Sequence, residues 1–381
     1  MDSAEADPAA VAAAIAAARA AAVAAFWRQA LNGTPPYCTP YNTLPLFDPS
    51  MASSWLWVGE ISAILPIVFL PIGLVINLCF LFVISRAPTM RTGINVYLGN
   101  LAVVDVAYLT LVGGVFIDRM VAKPAAFHET IAGCYLVSGA DGLSFYASVG
   151  MITMGTVYHL SSRMSNAFAN GKGGTGAATT LTWLFAIGLG ILSAMQWGKM
   201  FLICVLWPRM PEFAALPFTF TKCGPGPIGD EHYALYLDLV KTGVFAAALL
   251  INVVLYAMIC TKSSPDDLDR RIHSQVFRLL VCNGLVFFLC QTASHTLNVI
   301  NALQEFGEEK ILDDTQQILM QIIANMFLYL NPAIRPVIYC LCSGGYRKAV
   351  VKAFTGGGSD DEGADQKDNS AGAEQKVAEN M

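Results

Sequence analysis

The sequence predicts an all-α membrane protein: a bundle of seven transmembrane helices followed by a short amphipathic helix. Three observations predict it. Charged residues make up 13% of the 381 residues while hydrophobic ones make up 55%, and mean hydropathy is +0.52. A soluble chain carries about 25% charged residues, so this one cannot cover the surface of a water-soluble domain. The second observation is a set of seven apolar runs of about 20 residues or more, the length that crosses hydrocarbon. They lie near 55–84, 93–117, 131–160, 178–197, 232–261, 273–302 and 314–342. The third is the uneven placing of Lys and Arg between those runs. The same composition excludes a disordered chain, a collagen and a disulfide-rich secreted scaffold.

Each run must be a helix, because lipid offers no water to satisfy exposed backbone groups. The alternating ten-residue strands of an outer-membrane barrel are absent from the pattern. The first, second, third and seventh runs stand out clearly. The fifth is interrupted by Asp238 and Lys241, and the sixth by Gln291, Ser294 and His295. With the N-terminus outside the cell, eleven Lys and Arg fall on the inner side, Arg278 among them, against six on the outer. That bias predicts a multi-pass plasma-membrane protein with an extracellular N-terminus. Residues 1–54 form the outer tail. Its stretch 8–25 is mostly alanine with Arg19 inside, and lacks the basic start and apolar core of a cleaved signal. Asn32-Gly33-Thr34 is the one glycosylation sequon, which makes Asn32 the acceptor. The bundle spans 55–342. The loop near 198–231 contains Pro217–Cys223, which alternates like a strand and suggests a hairpin lid. In 343–355, Tyr346, Val350 and Phe354 recur at helical spacing with Arg347, Lys348 and Lys352 opposite. This predicts a helix lying on the inner lipid leaflet. Cys340 and Cys342 beside it are palmitoylation candidates or buried thiols. Residues 356–381 are Gly-rich and acidic, and read as disordered.

Motifs inside the runs then become informative. The first run carries Gly73-Leu-Val-Ile-Asn77, and the second Asn100-Leu101-Ala102-Val-Val-Asp105. The third opens with Cys134, and the fourth holds Trp183. The seventh ends in Pro336-Val-Ile-Tyr339, followed by Tyr346 and Arg347. In this order the set resembles rhodopsin-like (class A) G-protein-coupled receptors over roughly residues 55–354. The stretch Ile323–Leu341 is similar to the seventh helix of FMRFamide-type neuropeptide receptors. The resemblance implies an outer ligand and an inner face that recruits a heterotrimeric G protein or arrestin. It also implies a disulfide between Cys134 and Cys223. Cys38 and Cys204 either form a second bridge or stay unpaired. Several switch residues depart from the family. Its Asp-Arg-Tyr reads Tyr158-His159-Leu160, its Cys-Trp-x-Pro reads Cys290-Gln291-Thr292-Ala293, and its Asn-Pro-x-x-Tyr reads Arg335-Pro336-Val337-Ile338-Tyr339. The fifth-helix proline reads Ala248, judged from Phe245 and Tyr256 on either side.

Ionisable groups at membrane depth are functional candidates by default, and four stand out: Asp105, Asp141, Lys241 and Arg335. Asp141 lies seven residues inward from Cys134. The resemblance implies that it holds a ligand cation, with Tyr329 across from it and Asn325 one turn above Tyr329. The alternative is an internal ion pair with Lys241. The two agree if a zwitterionic or peptide ligand splits the pair. Tyr329 stands where light-sensing relatives carry the retinal lysine, so no cofactor is expected. In the family the counterpart of Asp105 collects a sodium ion with polar neighbours, here Ser148, Asn331 and the position of Arg335. A guanidinium suits a carboxylate and would take the ion's electrostatic role. The alternative turns Arg335 toward water. His159 replaces an arginine that relatives aim at the G protein, and Tyr158 cannot form the ionic lock, which implies relaxed or lost coupling. Gln291 and His295 share a helical face and either line a cavity or pack as polar core.

The functional expectation is a cell-surface receptor for a neuropeptide that signals with altered switches. One alternative is an atypical receptor that binds ligand or a partner receptor with little G-protein activation. A small-amine receptor and a transporter stand further off, the latter for want of internal repeats and interrupted helices. No enzyme motif is present, and no nucleic-acid partner is expected.

Overall fold

The computed structural model describes residues 38–40, 52–121, 131–164, 172–196, 199–206, 219–224, 233–261, 267–307 and 310–355. The alanine-rich stretch, Asn32 and the tail after 355 lie outside the described residues. Seven long helices follow in chain order: α1 (Ala52–Arg86), α2 (Gly93–Val121), α3 (Ile131–Arg163), α4 (Lys172–Gln196), α5 (Tyr233–Thr261), α6 (Asp267–Gly307) and α7 (Asp314–Cys342). The short helix α8 (Gly344–Thr355) comes next. A three-stranded sheet sits at one end of the bundle, from β1 (Cys38–Pro40), β2 (Lys199–Leu206) and β3 (Thr219–Gly224). Strand β3 is the alternating stretch of the long loop. It pairs antiparallel with β2, while β1 adds to β2 in parallel with Cys38 in register with Cys204.

Helix α3 touches α2, α4, α5, α6 and β2, and α7 touches α1, α2, α6 and α8. Those positions correct one reading. Among the described residues, five helices are long and apolar enough to cross a membrane, within α1, α2, α4, α5 and α6. The third and seventh runs, which stand out clearly in the sequence, fall short. Both sit deep in the bundle, where protein rather than lipid meets their polar side chains. Conversely, the interrupted fifth and sixth runs qualify. The lipid-facing sides carry the apolar surplus, with Leu181, Leu184 and Leu250 all exposed.

Close approach needs small residues. A Cβ on Gly190 of α4 would lie 3.2 Å from the backbone of Leu143, so the two helices meet backbone to backbone there. Asn77 explains the seam between α1 and α7. Pro336 has no N–H, which leaves the carbonyl of Pro332 without its helical donor. Asn77 Nδ2 supplies one, donating to Pro332 O at 2.8 Å and to Gly73 O at 2.8 Å. Helix α7 begins with a capping box, in which Asp313 accepts from Gln316 N at 2.8 Å and Asp313 N donates to Gln316 Oε1 at 3.1 Å. Helix α8 docks by Tyr346 and Ala349, both buried. Tyr346 stacks on Phe80 at 5.8 Å and donates to Asn95 Oδ1. Of the expected apolar stripe, Tyr346 faces the bundle and Phe354 the open side. Phe354 is exposed and meets Phe82 at 5.5 Å, because the bundle-facing side of α8 turns through Ala349 rather than Phe354.

Asn77→Leu should strand the Pro332 carbonyl and lower stability by about 1–3 kcal/mol, the cost of one buried unpaired acceptor. Thermal unfolding of the purified protein reads this directly, and an unchanged midpoint would remove the bond's structural role.

Candidate functional site

Polar groups collect at three levels of the bundle. Nearest the sheet, the first turn of α3 holds Cys134, which is buried and disulfide-bonded. Cys223 lies in β3, where side chains are outside the described residues, as are those of Cys38 and Cys204. Two helical turns further along α3, Asp141 Oδ2 accepts from Lys241 Nζ of α5 at 2.5 Å. The ammonium also stands 5.1 Å from the centre of the Phe145 ring, a cation–π contact. Tyr329 is buried beside Tyr108, ring centres 6.4 Å apart. On α6, His295 stacks on Phe245 at 4.3 Å, and its Nδ1 lies 3.1 Å from Thr242 Oγ1. Gln291 is buried one turn along the same face. Asn325 accepts from Gln321 at 3.1 Å.

At the middle level, Arg335 of α7 is completely buried. Its Nη1 donates to Asp105 Oδ1 of α2 at 2.8 Å. Both Nη atoms lie 3.3 Å from Ser148 Oγ of α3. The guanidinium carbon stands 5.4 Å from the Phe287 ring centre of α6. The contact uses one carboxylate oxygen rather than two. Asp105 Oδ2, Arg335 Nε and Asn331 Oδ1 are buried with no hydrogen-bond partner. A sodium ion does not fit this arrangement. Its carboxylate and hydroxyl ligands are already held by a cation, and a second positive charge would meet the guanidinium. Nearby, Trp183 Nε1 donates to Asn100 Oδ1 at 2.8 Å and ties α4 to α2.

At the α8 end, His159 is buried and Tyr158 packs on Tyr97 at 6.1 Å. Between α3 and α5, Thr156 donates to Asn252 Oδ1 at 3.2 Å, and Asn252 Nδ2 donates to Thr153 Oγ1 at 2.9 Å. Tyr256 joins α5 to α6 by donating to Leu280 O at 3.1 Å. Tyr339 of α7 donates to Asn283 Oδ1 of α6 at 3.4 Å. Arg278 adds a second α6–α7 tie. Its Nε and Nη2 donate to Cys342 O at 3.2 and 2.9 Å. That carbonyl ends α7, so it lacks a helical donor and carries the negative end of the helix dipole. Arg278 corrects the sequence reading, which counts it as a loop charge. Its position inside the run 273–302 was the available signal. Asn252 was legible too, since it lies one turn from Tyr256 on the same face. Cys342 is buried and Cys340 half-buried.

Removing the charge of Asp105 alone, as Asp105→Asn, should strand Arg335 and cost about 3–5 kcal/mol. Pairing it with Arg335→Met should cost less than the sum of the two single changes. The wild-type unfolding midpoint should not respond when sodium is replaced by a bulky organic cation at constant ionic strength, whereas Arg335→Asn should create a response. A wild-type midpoint that depends steeply on sodium would sink this reading. Arg278→Ala should free the end of α7, with faster amide hydrogen exchange in the α8-end turns of α6 and a stability loss of about 1.5–3 kcal/mol for a charged donor. Unaltered exchange would mean that the tie holds nothing in place.

The seven transmembrane receptor (rhodopsin family) model matches residues 76–339. Somatostatin receptor type 5 of Rattus norvegicus is 23% identical over 339 residues, covering 81% of this chain and 85% of that protein. Neuromedin-U receptor 2 of the same species is 23% identical over 303 residues, with 76% and 73% covered. Neuropeptide Y receptor type 2 of Sus scrofa is 24% identical over 346 residues, with 84% and 83% covered. These relatives are receptors and not enzymes. The match runs from α1 through Tyr339 of α7, so it takes in Asn77, the Arg335–Asp105 centre and the Asp141–Lys241 pair, and the chain belongs to the rhodopsin family of seven-transmembrane receptors.

Proposed function

We propose that this protein is a plasma-membrane receptor for a peptide, with its N-terminus and sheet outside the cell. Ligand occupancy at the sheet end is handed to a heterotrimeric G protein at the α8 end. The observation that carries the proposal is the partly accessible Asp141–Lys241 pair beneath the sheet, at 2.5 Å. A charged pair at that depth is costly to bury and marks a functional site by default, and it offers a peptide both signs of charge. Relatives named for somatostatin, neuromedin U and neuropeptide Y support a peptide. The bias of Lys and Arg toward the other side supports the orientation. Binding at one end and partner recruitment at the other are then linked through the populations of bundle conformations. Arrestin would meet the same inner face, and α8 the inner lipid.

A second reading follows from His159. It is 2% exposed and stands where the family carries an arginine aimed at the G protein. A receptor so built binds its ligand with little nucleotide exchange.

Screening a neuropeptide library against expressing cells supplies the ligand, and nucleotide exchange on purified G proteins separates the two readings. Ligand-driven exchange supports the first, and binding without exchange the second. Asp141→Asn should weaken the peptide found by about 1.5–3 kcal/mol at preserved surface expression, the size of a charge-assisted contact. Full affinity in that variant would remove Asp141 from the ligand site.

A further inference from the structure

Asp141 and Lys241 differ in exposure, with 35% of the Asp141 side chain accessible and 16% of the Lys241 side chain. The carboxylate is thus reachable, yet one of its oxygens already accepts from an ammonium at 2.5 Å. A ligand bringing only a cation must displace that ammonium. Lys241 would then remain against the Phe145 ring, which His295 meets at 5.2 Å, and neither ring is an anion. Asp238 stands three residues earlier on α5, but the ammonium donates to Asp141. An ion pair that loses one partner leaves the other charge uncompensated, whereas an exchange of both partners keeps every charge paired. The buried His295 adds a polar atom with no hydrogen-bond partner, Nε2, at the same level.

We infer that this pocket selects dipolar ligand ends, with a cation for Asp141 and a carboxylate for Lys241. Lys241 is thereby a specificity-determining residue that closes the pocket to simple monoamines. The inference rests on the reading of this pocket as the ligand site. It narrows the ligand class to a peptide end carrying both charges. A free C-terminal carboxylate beside a basic side chain fits, as does an N-terminal ammonium beside an acidic one.

Three probes with one aromatic body separate the charges: phenylalanine (both), phenethylamine (cation only) and hydrocinnamic acid (anion only). Thermal unfolding of the purified full chain in detergent reads their binding. Wild type should be stabilised by phenylalanine and not by phenethylamine. In Lys241→Met, phenethylamine should bind at least about tenfold more tightly than in wild type, which is the scale of one charge-assisted contact. Phenylalanine should lose its advantage there. Lys241→Gln, which keeps a polar head, serves the same comparison if the methionine variant folds poorly. Asp238→Asn in the wild-type background should leave the preference for phenylalanine in place, because Asp141 rather than Asp238 holds the ammonium. In Asp141→Asn, hydrocinnamic acid should gain and phenethylamine should not. Equal stabilisation of wild type by phenethylamine and phenylalanine would overturn the inference. So would Lys241 variants that phenethylamine does not stabilise, since Asp141 would then be no cation site. None of these readings requires a G protein, so the pocket's selectivity can fail while coupling stands, and the reverse.

Discussion

The salt bridge between Arg335 and Asp105 is the constraint around which the bundle is arranged. Both side chains are essentially inaccessible, 0% and 1% exposed. Neither charge tolerates that depth alone, because hydrocarbon cannot replace the water each gives up. One guanidinium therefore binds α7 to α2 through the carboxylate, to α3 through Ser148 and to α6 through the face of Phe287. A shift of any of these helices by a turn would break a charged contact rather than slide one apolar surface over another. The centre fixes relative heights in a way that Leu and Val cannot.

The remaining seams obey the same physics. In lipid, burying apolar surface between helices gains little, since lipid tails are as apolar as Leu. Association rests on hydrogen bonds and close backbone approach. Asn77 repairs the carbonyl that Pro336 leaves open, Trp183 and Asn100 join α4 to α2, and Asn252 joins α5 to α3. Gly190 brings α4 against the Leu143 backbone. The protein is thus apolar outward and selectively polar inward. Helices α3 and α7, packed on several neighbours, turn polar side chains inward, and neither has a stretch as apolar as the spans of the other five.

Helix α6 touches all three polar levels. His295 and Gln291 face the Asp141–Lys241 level, Phe287 lies against Arg335, and Asn283 and Arg278 meet the end of α7. Contact along one rigid helix joins the two ends of the molecule. At the α8 end, the ties between α6 and α7 run to Tyr339 and to a backbone carbonyl, while His159 is enclosed. Among the described residues, α6 is tied to α7 at this end through Tyr339 and Arg278. Arg278 of α6, reaching the end of α7, holds the α8-side ends of the two helices together.

Much of this was legible in the residues. Lipid leaves the backbone one solution, so the apolar runs became helices with ends close to those expected, and the alternating Pro217–Cys223 stretch gave β3. Charges at membrane depth single out Asp105, Asp141, Lys241 and Arg335 as functional candidates. The sequence could not say which alternative each would adopt. Asp141 and Lys241 are 100 positions apart, and Asp105 and Arg335 are 230 apart. Only the packing of α3 on α5 and of α7 on α2 brings each pair together. For Arg278, its place within the run 273–302 marks a membrane-depth charge, while its partner, a carbonyl of another helix, is set by packing alone. By itself the sequence determined the number of helices, their polarity and the charges that must find partners, because those depend on local composition against a lipid solvent. The tertiary structure alone decided which charge meets which and which helices are enclosed, because those depend on distances between segments that no local pattern encodes.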